Sequence, residues 1–508
     1  MSRSRSDKPG SILAAIADRL IPRRSCPLRP DAACFRAHAL PASAAAILLT
    51  GCATDQRRDV DAYRAVGDPP GSMIAPSPDA GLTLSGALSL AAWHNEQLAV
   101  VGEHYVQALA ERQRIAAALR PTLSAFGDLA LRENTDDSGV AQVDLGVNAQ
   151  YRLLTGMSDL RTAEAGDASI ESRRWLILDL RESLLVQTAR AYYETLRAER
   201  LVGVLTSSVA TQQERLDDAR ARRDVGFARP VDASLIEAQV ARTRVQLISA
   251  RRQAAEARST LAFLTSADLT DIPLADAFEL PAEVPGLDRL HALALAHRQD
   301  LLAARADADA ARRLVDAAIG QFAPTLTVNL DYFLARDPDD TGSIVASLIS
   351  LRVPLFSAGR IEADVRAAWS RFRERVLIHR ARAREAARDV EIAQLRLRES
   401  RDRAAELAIQ VAAATEALAQ SDAAFEAGLG TNLERIVAQD QLLAAELEAA
   451  SESFTTKTAY LELLRACGLL AHDVLGAPLP EPDDRSAPDA PVLDRDPPGG
   501  PAKPEATR

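Results

Sequence analysis

The side chains that most often carry chemistry are few in this 508-residue chain and poorly spaced for it. Seven histidines, His38, His94, His104, His291, His297, His379 and His472, stand apart. None forms a His-Glu-x-x-His helix motif or a paired spacing that would hold a metal. There is no glycine-rich phosphate loop ending in Lys-Ser/Thr and no Gly-x-Ser-x-Gly nucleophile turn. Acidic residues recur at helical-surface spacing, the pattern of a solvated face. The sequence therefore predicts no catalytic residue, no metal site and no cofactor, and the chain reads as a non-enzyme.

The cysteines say more. Cys26 and Cys34 lie in a basic leader that carries Arg3, Arg5, Arg19, Arg23 and Arg24. A short apolar stretch, Ala44–Leu49, then runs into Leu49-Thr50-Gly51-Cys52. Basic, apolar, then small residues is the order of an export signal. Leu-Thr-Gly-Cys resembles the bacterial lipobox, which implies cleavage between Gly51 and Cys52 and a lipid on Cys52. Ala53 follows, where an aspartate would suggest inner-membrane retention. Cys467, on a late helix, reads as a buried small hydrophobe. No intrachain disulfide pair remains once the leader is gone and Cys52 is acylated.

The charge balance narrows the partners. The leader is net positive, whereas the whole chain has 60 Lys and Arg against 71 Asp and Glu, so the body is acidic. An acidic body repels phosphate backbones, and no nucleic-acid partner is expected. No apolar run reaches the roughly 20 residues of a membrane-spanning helix. A transmembrane β-barrel, whose signal per strand is weaker, stays open.

The chain also repeats itself. Pro121-Thr122-Leu123-Ser124 is echoed 203 residues later by Pro324-Thr325-Leu326-Thr327, and Asp136-Asp137-Ser138-Gly139 by Asp339-Asp340-Thr341-Gly342. Gly226 matches Gly428 and Asp232 matches Glu434 at an offset of 202. A near-constant offset over such a distance marks a duplication. The expected organisation is a leader (1–51), a linker after Cys52 (52–81), a first repeat (82–265), a Pro-containing linker (266–285), a second repeat (286–468) and a Pro/Asp-rich disordered tail (469–508).

Each repeat predicts the same parts: a helical stretch (86–119 and 287–320), two strands, a very long helix (159–224 and 361–426), a Gly turn and a second long helix (231–263 and 432–468). In 142–153 the odd positions are Val143, Leu145, Val147, Ala149, Tyr151 and Leu153, and the even ones are polar or Gly. In the second repeat Leu326, Val328, Leu330, Tyr332 and Leu334 alternate with Thr325, Thr327, Asn329, Asp331 and Phe333. Period-2 alternation puts one face in grease and the other in water. Strands 121–131 and 344–353 alternate less cleanly. Four strands cannot close a barrel in hydrocarbon, because unpaired edges there are too costly. Several chains would have to share one barrel. A helix of some 65 residues is about 100 Å long, which suits a tube rather than a globular core.

These features, and the motifs Val353-Pro354-Leu355-Phe356-Ser357-Ala358-Gly359-Arg360 and Gly428-Leu429-Gly430-Thr431-Asn432-Leu433-Glu434, resemble the TolC family of outer-membrane efflux proteins over about residues 82–468. The resemblance implies a mainly α fold with a transmembrane β-barrel portion. It implies duplicated long-helix hairpins and four strands per chain, and a homotrimer with a 12-stranded barrel over an α-helical periplasmic barrel. It implies a passive exit duct in the outer membrane, extending into the periplasm and served by a periplasmic adaptor and an inner-membrane transporter. The lipobox suggests the lipidated branch, which serves resistance-nodulation-division pumps. By the same resemblance Val225-Gly226-Phe227 and Ala427-Gly428-Leu429 match the helix-turn tips that dock the adaptor. Glu434 matches the first position of an acidic gate ring, while Val437 stands at the second. The alternative is a lipid-anchored periplasmic coiled-coil scaffold without a pore, which would have no use for the alternating strands.

The leader generates a direct test. Cys52→Ser should abolish fatty-acid labelling and leave the fold intact, because the anchor adds membrane affinity without building the core. Metabolic labelling with a clickable fatty acid checks this, and continued labelling refutes the assignment.

Overall fold

The computed structural model describes residues 56–67, 81–133, 139–226, 229–270, 272–335 and 344–479. Gly51, Cys52 and Phe227, the leader and the two strand-connecting turns lie outside them. The helices are α1 (Gln56–Gly67), α2 (Leu84–His94), α3 (Glu96–Ala117), α4 (Ser158–Asp224), α5 (Pro230–Thr265), α6 (Leu287–His297), α7 (Gln299–Ile319), α8 (Arg360–Glu426), α9 (Asn432–Cys467) and α10 (Leu470–Leu475). The strands are β1 (Thr122–Glu133), β2 (Gly139–Thr155), β3 (Thr325–Ala335) and β4 (Val345–Arg352).

Equivalent elements of the two halves agree in length. Helices α4 and α8 have 67 residues each, and α5 and α9 have 36 each. At 1.5 Å per residue the longer pair each span about 100 Å. Their sequences are rich in Ala, Leu, Arg and Glu, which are strong helix formers. Ion pairs one turn apart, such as Arg161–Glu164, Arg174–Glu171 and Arg252–Glu256, line their wet sides.

The sequence predicts one helix over 86–119, but the structure breaks it. Asn95 leaves helical geometry and its Oδ1 accepts from the backbone N–H of Gln97 and Leu98, starting α3 afresh. A cap that satisfies two otherwise orphaned amides outweighs continuity of the apolar pattern. The second half breaks at the equivalent Arg298, whose guanidinium is buried between Asp300 and Asp389 at 2.9 Å from each. Two segments expected to be irregular contain helix. α1 falls in the 52–81 linker. α10 falls in the tail, where Leu470 and Ala471 are buried and the Ala471 amide donates to the carboxylate of Glu182 at 3.0 Å. Burial of Glu182 pushes its carboxyl above the usual range.

The largest core cluster sits partway along the long helices. Leu185, Tyr192 and Tyr193 of α4 meet Leu261 of α5, Leu461 and Leu464 of α9, Leu88 of α2 and Leu470 of α10. The Tyr192 hydroxyl donates to the carbonyl of Ala275 at 2.7 Å, with the Leu82 carbonyl at 2.9 Å. Leu82 forms an isolated parallel bridge with Leu274, so the linker between the halves is pinned to the start of the first. Ion pairs Arg465–Asp179 and Arg190–Glu462 join α9 to α4 across the halves.

Cys467 is buried against α6, its Sγ 3.9 Å from the Leu290 carbonyl, and burial pushes its thiol up to about 11. A thiol so held is inert at neutral pH, because the thiolate is the nucleophile. Cys467 should therefore ignore Ellman's reagent in the folded protein at pH 8 and react fully in denaturant. Fast reaction in the folded state would contradict its burial.

Candidate functional site

Two regions match the sequence-derived sites: the sheet, and the turns at the far ends of the long helices. The strands form one antiparallel sheet in the order β1-β2-β3-β4. The central pairing, β2 with β3, joins the two halves. Its register sets Asn148 against Asp331, and Asn148 Nδ2 donates to Asp331 Oδ1 at 2.6 Å. On the opposite face Ala149 stands against Leu123 and Leu330, Val147 against Ala125 and Tyr332, and Tyr151 against Val328. The apolar face is the more exposed one: Leu123, Leu330, Tyr332, Ile349 and Leu351 are open, whereas Asn148, Asp331 and Phe333 are half-buried. That difference is expected of a sheet curved with its polar face inward.

The strict alternation expected of β2 and β3 holds through their middle and fails at two bulges. Register shifts fall between Arg152 and Leu154 and between Leu145 and Gly146. Each leaves one extra residue, Leu153 in β2 and Leu334 in β3, between flanking pairs, and such bulges bend and re-twist a strand. The less regular strand β1 is explained by Phe126, which lies on the polar face with its ring edge-on to Phe333 at 5.7 Å. The free edges of β1 and β4 have no partner strand among the described residues.

At the far turns, Gly226 and Gly428 have φ of +80° and +71°, and a Cβ on either would meet nothing within 4 Å. These glycines end α4 and α8 in a left-handed conformation that other residues resist. Their neighbours are open to solvent: Val225 is 67% and Leu429 87% exposed, and Ala427 is exposed too. Glu434 forms a capping box with Thr431: the Thr431 amide donates to its Oε2 at 2.9 Å, and its own amide donates to Thr431 Oγ1 at 3.3 Å. The equivalent Asp232 pairs with Arg229 at 3.0 Å in the first turn of α5. Both acids thus complement the positive end of a helix.

Just inside the turns lies a polar cluster that sequence reasoning missed. Arg215 of α4 donates to Asp422 of α8 at 2.8 Å and to Gln439 of α9 at 2.6 Å. Arg435 of α9 donates to the other oxygen of Asp422 at 2.8 Å and covers the Phe425 ring at 4.4 Å. Gln239 and Arg242 of α5 both hold Asp440 of α9. The cluster ties the two hairpins together. Read singly, these residues are ordinary helix-surface charges. The signal was the broken repeat, since Arg435 and Asp440 stand where the first half has Ala233 and Ala238, at the 202-residue offset.

A sheet with one apolar and one more polar face, its edge strands unpaired among the described residues and continuous with helices about 100 Å long, defines one class: a membrane channel protein. Comparisons with known proteins give the family. Residues 290–469 match the family described as outer membrane efflux protein. The chain is 24% identical over 342 residues to outer membrane efflux protein BepC of Brucella suis biovar 1, covering 65% of this chain and 73% of that one. It is 22% identical over 353 residues to outer membrane protein TolC of Vibrio cholerae serotype O1, covering 66% and 80%. A crystal structure of a membrane protein from Pseudomonas aeruginosa superimposes with a TM-score of 0.69 at 21% identity, covering 79% of this chain and 98% of that one. Over its second half the chain thus matches the outer membrane efflux proteins, and its fold is that of the TolC-like channels.

The faces of the sheet can be tested separately. Leu145→Arg or Leu330→Arg should reduce the amount of protein inserted in outer-membrane fractions, since a charge at mid-bilayer costs about 2–4 kcal/mol. Asn148→Arg should insert normally, its guanidinium facing water beside Asp331. Equal insertion of all three would mean that the apolar face does not meet lipid.

Proposed function

We propose that this outer-membrane channel protein works as a homotrimer, forming the passive exit duct of a three-part efflux pump for small molecules. The observation that carries the proposal is the open-edged sheet with an apolar outer face feeding into the long helices. Three copies supply twelve strands and remove every edge, the closure that hydrocarbon demands. The helices reach into the periplasm, where the far turns meet an adaptor. Energy comes from an inner-membrane transporter, since the sequence holds no nucleotide loop. Cys52 carries a lipid that anchors the N-terminus to the outer membrane, and the lipobox favours a resistance-nodulation-division partner.

The docking surface is the set of exposed tips, Val225-Gly226-Phe227 and Ala427-Gly428-Leu429. Both glycine turns leave open space above the backbone, which a partner helix needs for close approach. Three copies present six such turns, and several weak contacts hold a partner firmly once the first has formed. Glu434 stands one turn further on. Its carboxylate both caps α9 and contributes to an acidic ring at the entrance, which favours cations.

Substituting the glycines themselves would strain positive-φ backbone, so the neighbours give the cleaner test. Val225→Asp with Leu429→Asp should leave trimers that insert and conduct in planar bilayers. The same double variant should lose in-cell cross-linking to the adaptor and fail to restore efflux in a deletion strain. Full efflux would overturn the docking assignment. A stable monomer without conductance, in the unsubstituted protein, would overturn the duct itself.

A further inference from the structure

Phe126 and Phe333 lie on the face that β1 to β3 make polar with Ser124, Asp128, Asp144, Asn148, Asn329 and Asp331, while β4 adds Ala346 and the exposed Leu348 opposite Asp331 and Asn329. Register puts Gly146 between them, opposite Phe126 on one side and Phe333 on the other. A Cβ on Gly146 would come within 2.6 Å of Phe126 Cζ and 2.7 Å of the Tyr332 carbonyl. The missing side chain is therefore what lets the Phe126 ring lie across β2 and meet Phe333 edge-on at 5.7 Å. Two half-buried rings and a glycine bridge three strands on the face that turns away from lipid.

We propose that Phe126 and Phe333, seated over Gly146, form an aromatic collar that sets the width of the outer part of the pore. The proposal rests on the channel reading above. Twelve strands about 4.8 Å apart and tilted by about 40° enclose a backbone bore of about 24 Å. Three ring pairs, one from each copy, project into that bore at one height. An aromatic pair stabilises a sheet on either face. On the lipid face it would do so without presenting rings to water, so its place on the inner wall calls for a role in the lumen. The collar is apolar; the Asp128–Asp144 register lies on its outer side and Asp331 and Asn148 on its inner side, with Ala346 and Leu348 of β4 beside them. Permeating molecules must pass the rings themselves.

The test uses the full chain in intact cells. Gln150 lies on the same face as Gly146, four residues nearer the helices, and is exposed. Gln150→Cys is labelled from outside with a small cationic methanethiosulfonate or a bulky polyethylene-glycol maleimide, against the unsubstituted chain as blank. With the rings in place the small reagent should react quickly and the bulky one slowly. Adding Phe126→Ala and Phe333→Ala should raise the bulky rate several-fold and leave the small rate unchanged. Phe126→Leu with Phe333→Leu, which preserves apolar packing, should give a smaller rise. Electrophoretic trimers verify assembly of each variant, and should alanine prevent it, the leucine pair decides. Bulky labelling unchanged in an assembled variant overturns the collar, whether the rings then serve stability alone or the turns above them limit passage. Failure of the channel reading looks different. In that case Leu330→Cys, on the opposite face, would react with the small reagent as fast as Gln150→Cys.

Discussion

The structure depends on one constraint: a backbone amide or carbonyl in hydrocarbon must find its partner inside protein. Each chain supplies a four-stranded sheet whose edge strands, β1 and β4, have no outer partner among the described residues. In water such edges are tolerable, and in lipid they are not. The edges make the single chain an incomplete object, and they explain why the duplication takes the form it does. One repeat gives two strands, β2 and β3 join the repeats at the centre of the sheet, and in the proposed trimer the edges of β1 and β4 are taken up by neighbouring copies. The apolar outer face and the inner Asn148–Asp331 pair follow from the same constraint, because a closed wall has an inside and an outside.

Away from the membrane the chain holds its halves together by different means. The middle of the bundle is a dry cluster around Tyr192, Tyr193 and Leu461. The far end is stitched by charge, with Asp422 held by Arg215 and Arg435. Burial works against the charge on Arg215, which Asp422 offsets. A half-buried ion pair of this kind is a poor source of stability but specifies partners well, because removing one member leaves the other partly desolvated without its counter-charge. The hairpins are therefore fixed by geometry where they meet, while the turns just beyond stay open.

Much of this was legible in the residues. Helices α4 and α8 begin and end within a residue of where the pattern put them, because Gly226 and Gly428 punctuate the chain unambiguously. The alternation of β2 and β3 gave the correct faces for Leu145, Val147, Asn148 and Leu330. Breaks at Asn95 and Arg298 escaped because a capping residue inside a helical stretch looks like any polar surface position. The bulge at Leu153 escaped because two consecutive leucines, Leu153 and Leu154, follow Arg152, and periodicity cannot say which is the extra one. Phe333 was placed on the wet face by parity alone. Only the three-dimensional register showed that it meets Phe126 over a glycine. The tip cluster was hidden for a related reason, since charges 200 residues apart reveal nothing of each other until the halves are superposed.

The equal lengths of α4 and α8, and of α5 and α9, have a consequence for how such a chain can change. Inserting one residue in a helix advances everything beyond it by about 1.5 Å and swings it by about 100° around the axis. In a helix of 67 residues, a single insertion near the sheet would turn Arg215 away from Asp422 and lift one turn out of the plane of its twin. Substitutions leave this alignment untouched. The helices act as matched rulers: their composition is free to drift while their length is held, and a lengthening survives only as a matched step in both halves that restores the rotational phase.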